Sequence, residues 1–136
     1  MQAKKIMVFG TFDGIHAGHL DFFSQAREYG DYLIVIVGRD VNILKIKKHL
    51  PEKSEEQRFN SLKRCKLVDE ARMGFEDGPY KIIEDLKPDV ICLGYDQLAF
   101  TKNLKKEVKK RGLDIKIYRL KPFQPEKYHS SIINKK

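Results

Sequence analysis

The run Val8-Phe9-Gly10-Thr11-Phe12-Asp13-Gly14-Ile15-His16-Ala17-Gly18-His19-Leu20-Asp21-Phe22-Phe23 places three glycines and two of the chain's four histidines between apolar flanks. Upstream, Ile6 to Phe9 is a continuous apolar segment of strand length. Downstream, from about Gly18 to Tyr29, Leu20, Phe22, Phe23 and Ala26 are spaced for the inward face of a helix, and Gly30 is a natural stop. A strand that turns through glycines into a helix is the opening unit of an alternating α/β fold. Gly10, Gly14 and Gly18 stand four apart, which fits neither the dinucleotide fingerprint nor the Walker loop. A zinc site on His16, His19 and Asp13 lacks a fourth ligand and the i, i+4 histidine spacing of a zinc hydrolase helix. A phosphate cradle fits better: glycines let backbone N–H groups approach an anion, and the following helix aims its positive end at the same point.

Further along, Tyr32 to Val37 is apolar throughout, as in a parallel strand covered on both faces. Lys45 to Lys53 reads as a basic loop. Ser54-Glu55-Glu56-Gln57 is a capping box that opens a helix through about Arg64. Val68 to Met73 suits a short strand, Tyr80 to Leu86 a helix ended by Lys87-Pro88, and Val90 to Leu93 a buried strand stopped by Gly94. Asn103 is placed to cap a lysine-rich helix with Leu104 and Val108 inward, which Gly112 closes; Ile115 to Tyr118 is a fifth strand. The tail, 121–136, could form a helical turn or two after Tyr128. The whole predicts one domain over 1–136, a Rossmann-like, doubly wound, parallel five-stranded sheet. In such a sheet ligands bind beyond the carboxyl ends of the strands where the winding reverses, which selects the loops Gly10–His19 and Gly94–Gln97.

With 136 residues the chain can bury a core without disulfides. Cys65 and Cys92 have no CxxC spacing and read as buried free thiols. No apolar run has the length of a membrane helix, and Met1 to Lys5 leads into no signal-peptide core, so a cytoplasmic protein is expected. A net charge of +8 suits an anionic partner, nucleic acid or a phosphorylated small molecule. Aromatic and basic residues do not interleave on a nucleic-acid motif, so a basic nucleic-acid module stands only as the non-enzymatic alternative.

Gly10-Thr11-Phe12-Asp13 followed by His16-Ala17-Gly18-His19 resembles the G-[TS]-F-D-x-x-H-x-G-H signature of the cytidylyltransferase-like nucleotidyltransferase superfamily. Arg39-Asp40, Lys47, Glu56-Gln57-Arg58, Pro88-Asp89, Gly94-Tyr95-Asp96-Gln97 and Ser130-Ser131-Ile132-Ile133 extend the likeness over nearly the whole chain. Among small single-domain members, LGYDQ at 93–97 and RDVNILKIKKHLPEKSEEQR at 39–58 look most like the archaeal-type FAD synthases. Glycerol-3-phosphate cytidylyltransferases and ADP-heptose-type adenylyltransferases come next.

The resemblance implies a fold of the nucleotidyltransferase type and transfer of a nucleotidyl group from ATP, or CTP, to a phosphorylated acceptor such as FMN. Pyrophosphate leaves, and Mg²⁺ or another divalent cation accompanies the triphosphate. It implies that His16 and His19 act at the α-phosphorus and that Gly10, Thr11 and Phe12 supply backbone contacts. Asp13, Gly18 and Gly94 count among the nucleotide-binding positions. Lys47, with Lys45 as its rival, would reach phosphate from the loop after the second strand. Asp96 would touch base or ribose, or be a turn aspartate; Ser130 and Ser131 would donate to phosphate or merely cap a short helix. Arg119 is a further nucleotide-binding candidate. The tail would complete the site, no residue is assigned as a metal ligand, and related small transferases suggest a homodimer.

Overall fold

A computed structural model describes residues 3–76, 80–95 and 97–122, the side chains of 98–102 excepted. In chain order the elements are β1 (Lys5–Gly10), α1 (Ala17–Arg27), β2 (Tyr32–Val37), α2 (Asp40–Lys47) and α3 (Glu55–Lys63). There follow β3 (Glu70–Met73), α4 (Tyr80–Leu86), β4 (Val90–Leu93), α5 (Leu98–Lys110) and β5 (Lys116–Arg119). The five strands form one sheet in the order β3-β2-β1-β4-β5 with every pair parallel. The predicted fold class is therefore the observed one.

Alternation along each strand splits the core into two layers. Ile6, Val8, Leu33, Val35, Val90 and Cys92 pack with Phe23 and Ala26 of α1 and Leu62 of α3. Met7, Phe9, Ile34, Ile36, Ile91 and Leu93 pack with Ile82 and Ile83 of α4 and Leu104 and Val108 of α5. Helices on both faces explain why the central strands read as unbroken apolar runs. The winding reverses between β1 and β4, which are neighbours in the sheet but far apart in the chain. The loops after those two strands flank the crevice, as the sequence predicts.

Four expectations are corrected. Asp40 to Lys47 is helix α2, so the basic segment begins inside a helix that ends at Lys48, a residue in the left-handed region (φ 67°). Its signal is faint because Arg39 makes no side-chain cap and Ile43 is the helix's buried residue. Leu20 is 42% exposed rather than inward. The inward position in the first turn of α1 is taken by His19, which packs on Phe12, and the next residue is rotated outward. Asn103 does not cap α5: the helix starts at Leu98 with Gln97 at its cap position, Gln97 being fixed by bonds described below. Gly30 does not stop α1, which closes at Glu28; a side chain at Gly30 would come within 2.7 Å of the Lys4 carbonyl oxygen and of Ile6.

Candidate active site

The turn from β1 into α1 is held from three directions. Gly38 N–H donates to the Gly10 carbonyl (3.0 Å), tying the turn to the end of β2. Asp13 accepts from the backbone amides of Glu52 (2.8 Å) and Lys53 (2.9 Å). These two bonds hold its carboxyl below the usual carboxylate range. Beneath both lies Arg58, fully buried, whose Nη1 donates to the Thr11 (2.8 Å) and Gly38 (3.0 Å) carbonyls. Its Nε donates to the Lys53 carbonyl (3.2 Å) and its Nη2 pairs with Asp40 at 2.5 Å. One guanidinium thus braces the turn, the start of α2 and the segment leading to α3. Beside it Glu55 accepts from Asp40 N–H (2.8 Å) and from Arg39 (3.2 Å).

At the entrance to α1, His16 is the N-cap. Its Nδ1 accepts from Gly18 N–H (3.0 Å), while its own N–H donates to Nδ1 of His19 (3.3 Å). Because each Nδ1 accepts, each neutral ring carries its proton on Nε2. The two imidazoles lie 3.9 Å apart, centre to centre. Partial burial pushes the His19 pKa down, the His16 charge adds to this, and a hydrogen bond with the Gly14 backbone opposes it. At neutral pH His19 is therefore a neutral N–H donor beside the positive end of a helix, an arrangement suited to phosphate oxygens.

Lys47, in the last turn of α2, donates to Thr11 Oγ1 at 3.2 Å. The structure thus brings a lysine to the histidine turn, as expected, but from a helix and not from a loop. Across the crevice, Gln97 accepts from Gly94 N–H (2.7 Å) and donates to the Phe9 carbonyl (2.9 Å). Arg119 donates to the Gly94 carbonyl (2.7 Å). The β4 loop is in this way tied to β1 and β5. On the outer side of the turn, a cavity of about 570 Å³ between α1 and α3 is lined by Gly14, Ile15, Leu20, Lys53, Arg64 and Lys66 among others. It stands beside the histidine pair and not over the crevice, and adds positive charge to that flank.

Gly10, Thr11, Phe12, Asp13, His16, Gly18, His19 and Lys47 therefore form one cluster, with Gly94 and Arg119 on the β4–β5 side. Two of these have other work: the Gly18 amide is spent on His16, and the Asp13 carboxylate on a backbone clamp. Asp96, Ser130, Ser131 and residues 123–136 of the tail lie outside the described residues. Arg58 and Gln97 carry no sequence signal for these roles, although both stand in segments that share the family resemblance. Cys92 is buried and its thiol is pushed up to about 12 by burial, whereas Cys65 is only half-buried. Among the described residues no set of three or more His, Cys, Asp or Glu side chains is placed to hold a metal ion, and no helix is long and apolar enough to cross a membrane.

Residues 7–136 match the family model described as cytidylyltransferase-like. The chain is 41% identical over 119 residues to the FAD synthase of Aciduliprofundum boonei, spanning 88% of this chain and 79% of that protein. It is 45% identical over 120 residues to the FAD synthase of Ferroglobus placidus, spanning 87% and 76%. Among solved structures, the lipopolysaccharide core biosynthesis protein of Thermoplasma volcanium superposes with a TM-score of 0.84 at 32% identity, over 90% of this chain and 100% of that one.

Proposed function

This chain belongs to the cytidylyltransferase-like family, and from that premise we propose that it transfers the adenylyl group of ATP to FMN, giving FAD and pyrophosphate. The observation that carries the reading is the pairing of FAD synthase relatives at 41% and 45% identity with a histidine-bearing helix entrance at the switch point of the sheet. A phosphate oxygen of FMN attacks the α-phosphorus of ATP. The bond from that phosphorus to the oxygen bridging to the β-phosphorus breaks, and its electron pair leaves with pyrophosphate. An ionised phosphate is already a nucleophile, so the protein's task is to align two anions and stabilise the charge of the in-line transition state.

In this reading the α1 entrance receives the α-phosphate, and the Nε2–H groups of His16 and His19 donate to its oxygens as charge builds. Lys47 leaves Thr11 to bind the β- and γ-phosphates. Arg58 and Asp13 keep the turn and the Lys47 segment in register; Gln97 and Arg119 do the same for the β4 loop, which offers the exposed ring of Tyr95. A divalent cation, when bound, would offset the negative charge of the triphosphate, magnesium commonly being held by substrate phosphates with one or two carboxylates. No residue is required as a general base.

The Thermoplasma volcanium structure favours one alternative acceptor, a sugar phosphate, because of the biosynthesis it is named for. Pyrophosphate release measured with ATP or CTP against FMN, a sugar 1-phosphate and glycerol 3-phosphate separates the cases. Release with ATP and FMN alone supports the proposal. Release only with a sugar phosphate or only with CTP replaces it, and none with any pair removes the transfer reading.

A further inference from the structure

We propose that Phe12 is a positioning residue whose buried ring fixes the imidazole of His19 for the transfer step. Phe12 sits at φ 55°, in the left-handed region. The other non-glycine residues there among those described, Lys48 and Lys87, follow helices α2 and α4, where that conformation is a common ending. Phe12 follows a strand and is bulky, so its backbone is strained and persists only because its surroundings hold it. A turn that needed nothing but positive φ would be served better by glycine.

What the strain secures is the place of the ring. It is 4% exposed and lies over Gly10, where even a methyl group would come within 2.6 Å of it. It packs on Phe23 with centroids 5.4 Å apart. It also meets His19 in an edge arrangement, centroids 5.3 Å apart at 68°. The imidazole is thus held by Phe12, by the ring of His16, by the His16 N–H on Nδ1 and by the Gly14 backbone, which together fix the direction of Nε2–H. Phe12 also takes part of the ring out of water. The turn presents Phe12 and the Gly14 backbone to His19, and α1 presents His16, the titratable group among them. The proposal rests on the nucleotidyl-transfer reading for its kinetic half only.

The test uses Phe12→Gly, which suits the backbone, and Phe12→Leu, which keeps apolar bulk without the aromatic edge. Titration of the His19 ring by NMR is followed without substrate, beside kcat and KM for pyrophosphate release. Phe12→Gly should remain folded by circular dichroism, and its His19 midpoint should rise toward the ordinary value. Its kcat should fall by about tenfold or more, the scale of a misplaced catalytic group, with KM for the triphosphate little changed. The acid limb of the pH profile should move with the His19 midpoint, and Phe12→Leu should fall between. An unchanged His19 titration in both variants overturns the proposal, as does a loss confined to KM. If the wild-type protein releases no pyrophosphate with any pair, the transfer reading has failed, and the titration alone still decides whether Phe12 holds His19. Should both variants unfold, Gly10→Ala, which crowds the same ring from below, must shift the His19 titration in the folded protein or the proposal falls.

Discussion

Replacing Arg58 by methionine should destabilise the protein by about 3–5 kcal/mol, the range found when one partner of a buried ion pair is removed. Methionine fills much of the space of the aliphatic stem, so the loss lies in the hydrogen bonds. The guanidinium is fully buried and donates to the Thr11, Gly38 and Lys53 carbonyls while pairing with Asp40 at 2.5 Å. An acceptor left unsatisfied in the interior costs about 1–3 kcal/mol. The Asp40 side chain is 33% exposed and regains water, which keeps the sum toward the lower half of the range. Against a typical total of about 5–15 kcal/mol this is a large fraction of the stability. Urea titration of the two proteins reads it directly, and Asp40→Asn combined with Arg58→Met should cost less than the sum of the single changes. A loss below about 1 kcal/mol, the behaviour of an ordinary surface substitution, would refute the claim that one guanidinium carries this corner.

His19→Ala should lower kcat by about 10² or more, as loss of an oxyanion donor does, in a protein that still folds; undiminished turnover would exclude it from the chemistry. The lowered His19 pKa means the folded chain binds this proton less readily than the unfolded one. Stability should therefore fall as pH drops from the ordinary value near 6.5 toward the lower folded value, and His19→Gln should flatten that slope in acid unfolding curves. Lys47→Ala should raise KM for the triphosphate far more than it alters the fold, read by kinetics and circular dichroism together. At pH 8 a thiol reagent should modify Cys65 in the native protein and reach Cys92, pushed up to about 12, only on unfolding.

The strands were legible because the sheet is covered on both faces, which leaves Tyr32–Val37 and Val90–Leu93 apolar at nearly every position. The histidine turn was legible because its parts are local: cap, glycine and both imidazoles fall within four residues. Helix α2 was not, since one buried residue and an uncapped start leave little periodic signal. Nor could the bracing groups be read. Arg58 reaches a carbonyl 47 residues away and Gln97 one 88 away, and no local pattern encodes such partners. The partners of Asp13 are likewise distant in the chain. Its motif counts it among the nucleotide-binding positions, and its oxygens accept from amides 39 and 40 residues along the chain, a clamp that no local pattern encodes. Tertiary partners, not residue type, decide whether a motif residue meets the ligand or holds the loop that does.

The most direct test is the fate of phosphorus in a single turnover with FMN. ATP labelled at the α-phosphorus should pass its label into FAD, and ATP labelled at the γ-phosphorus should deliver it to pyrophosphate. Label from the γ-position in the flavin product, or no labelled flavin at all, would contradict adenylyl transfer by this chain.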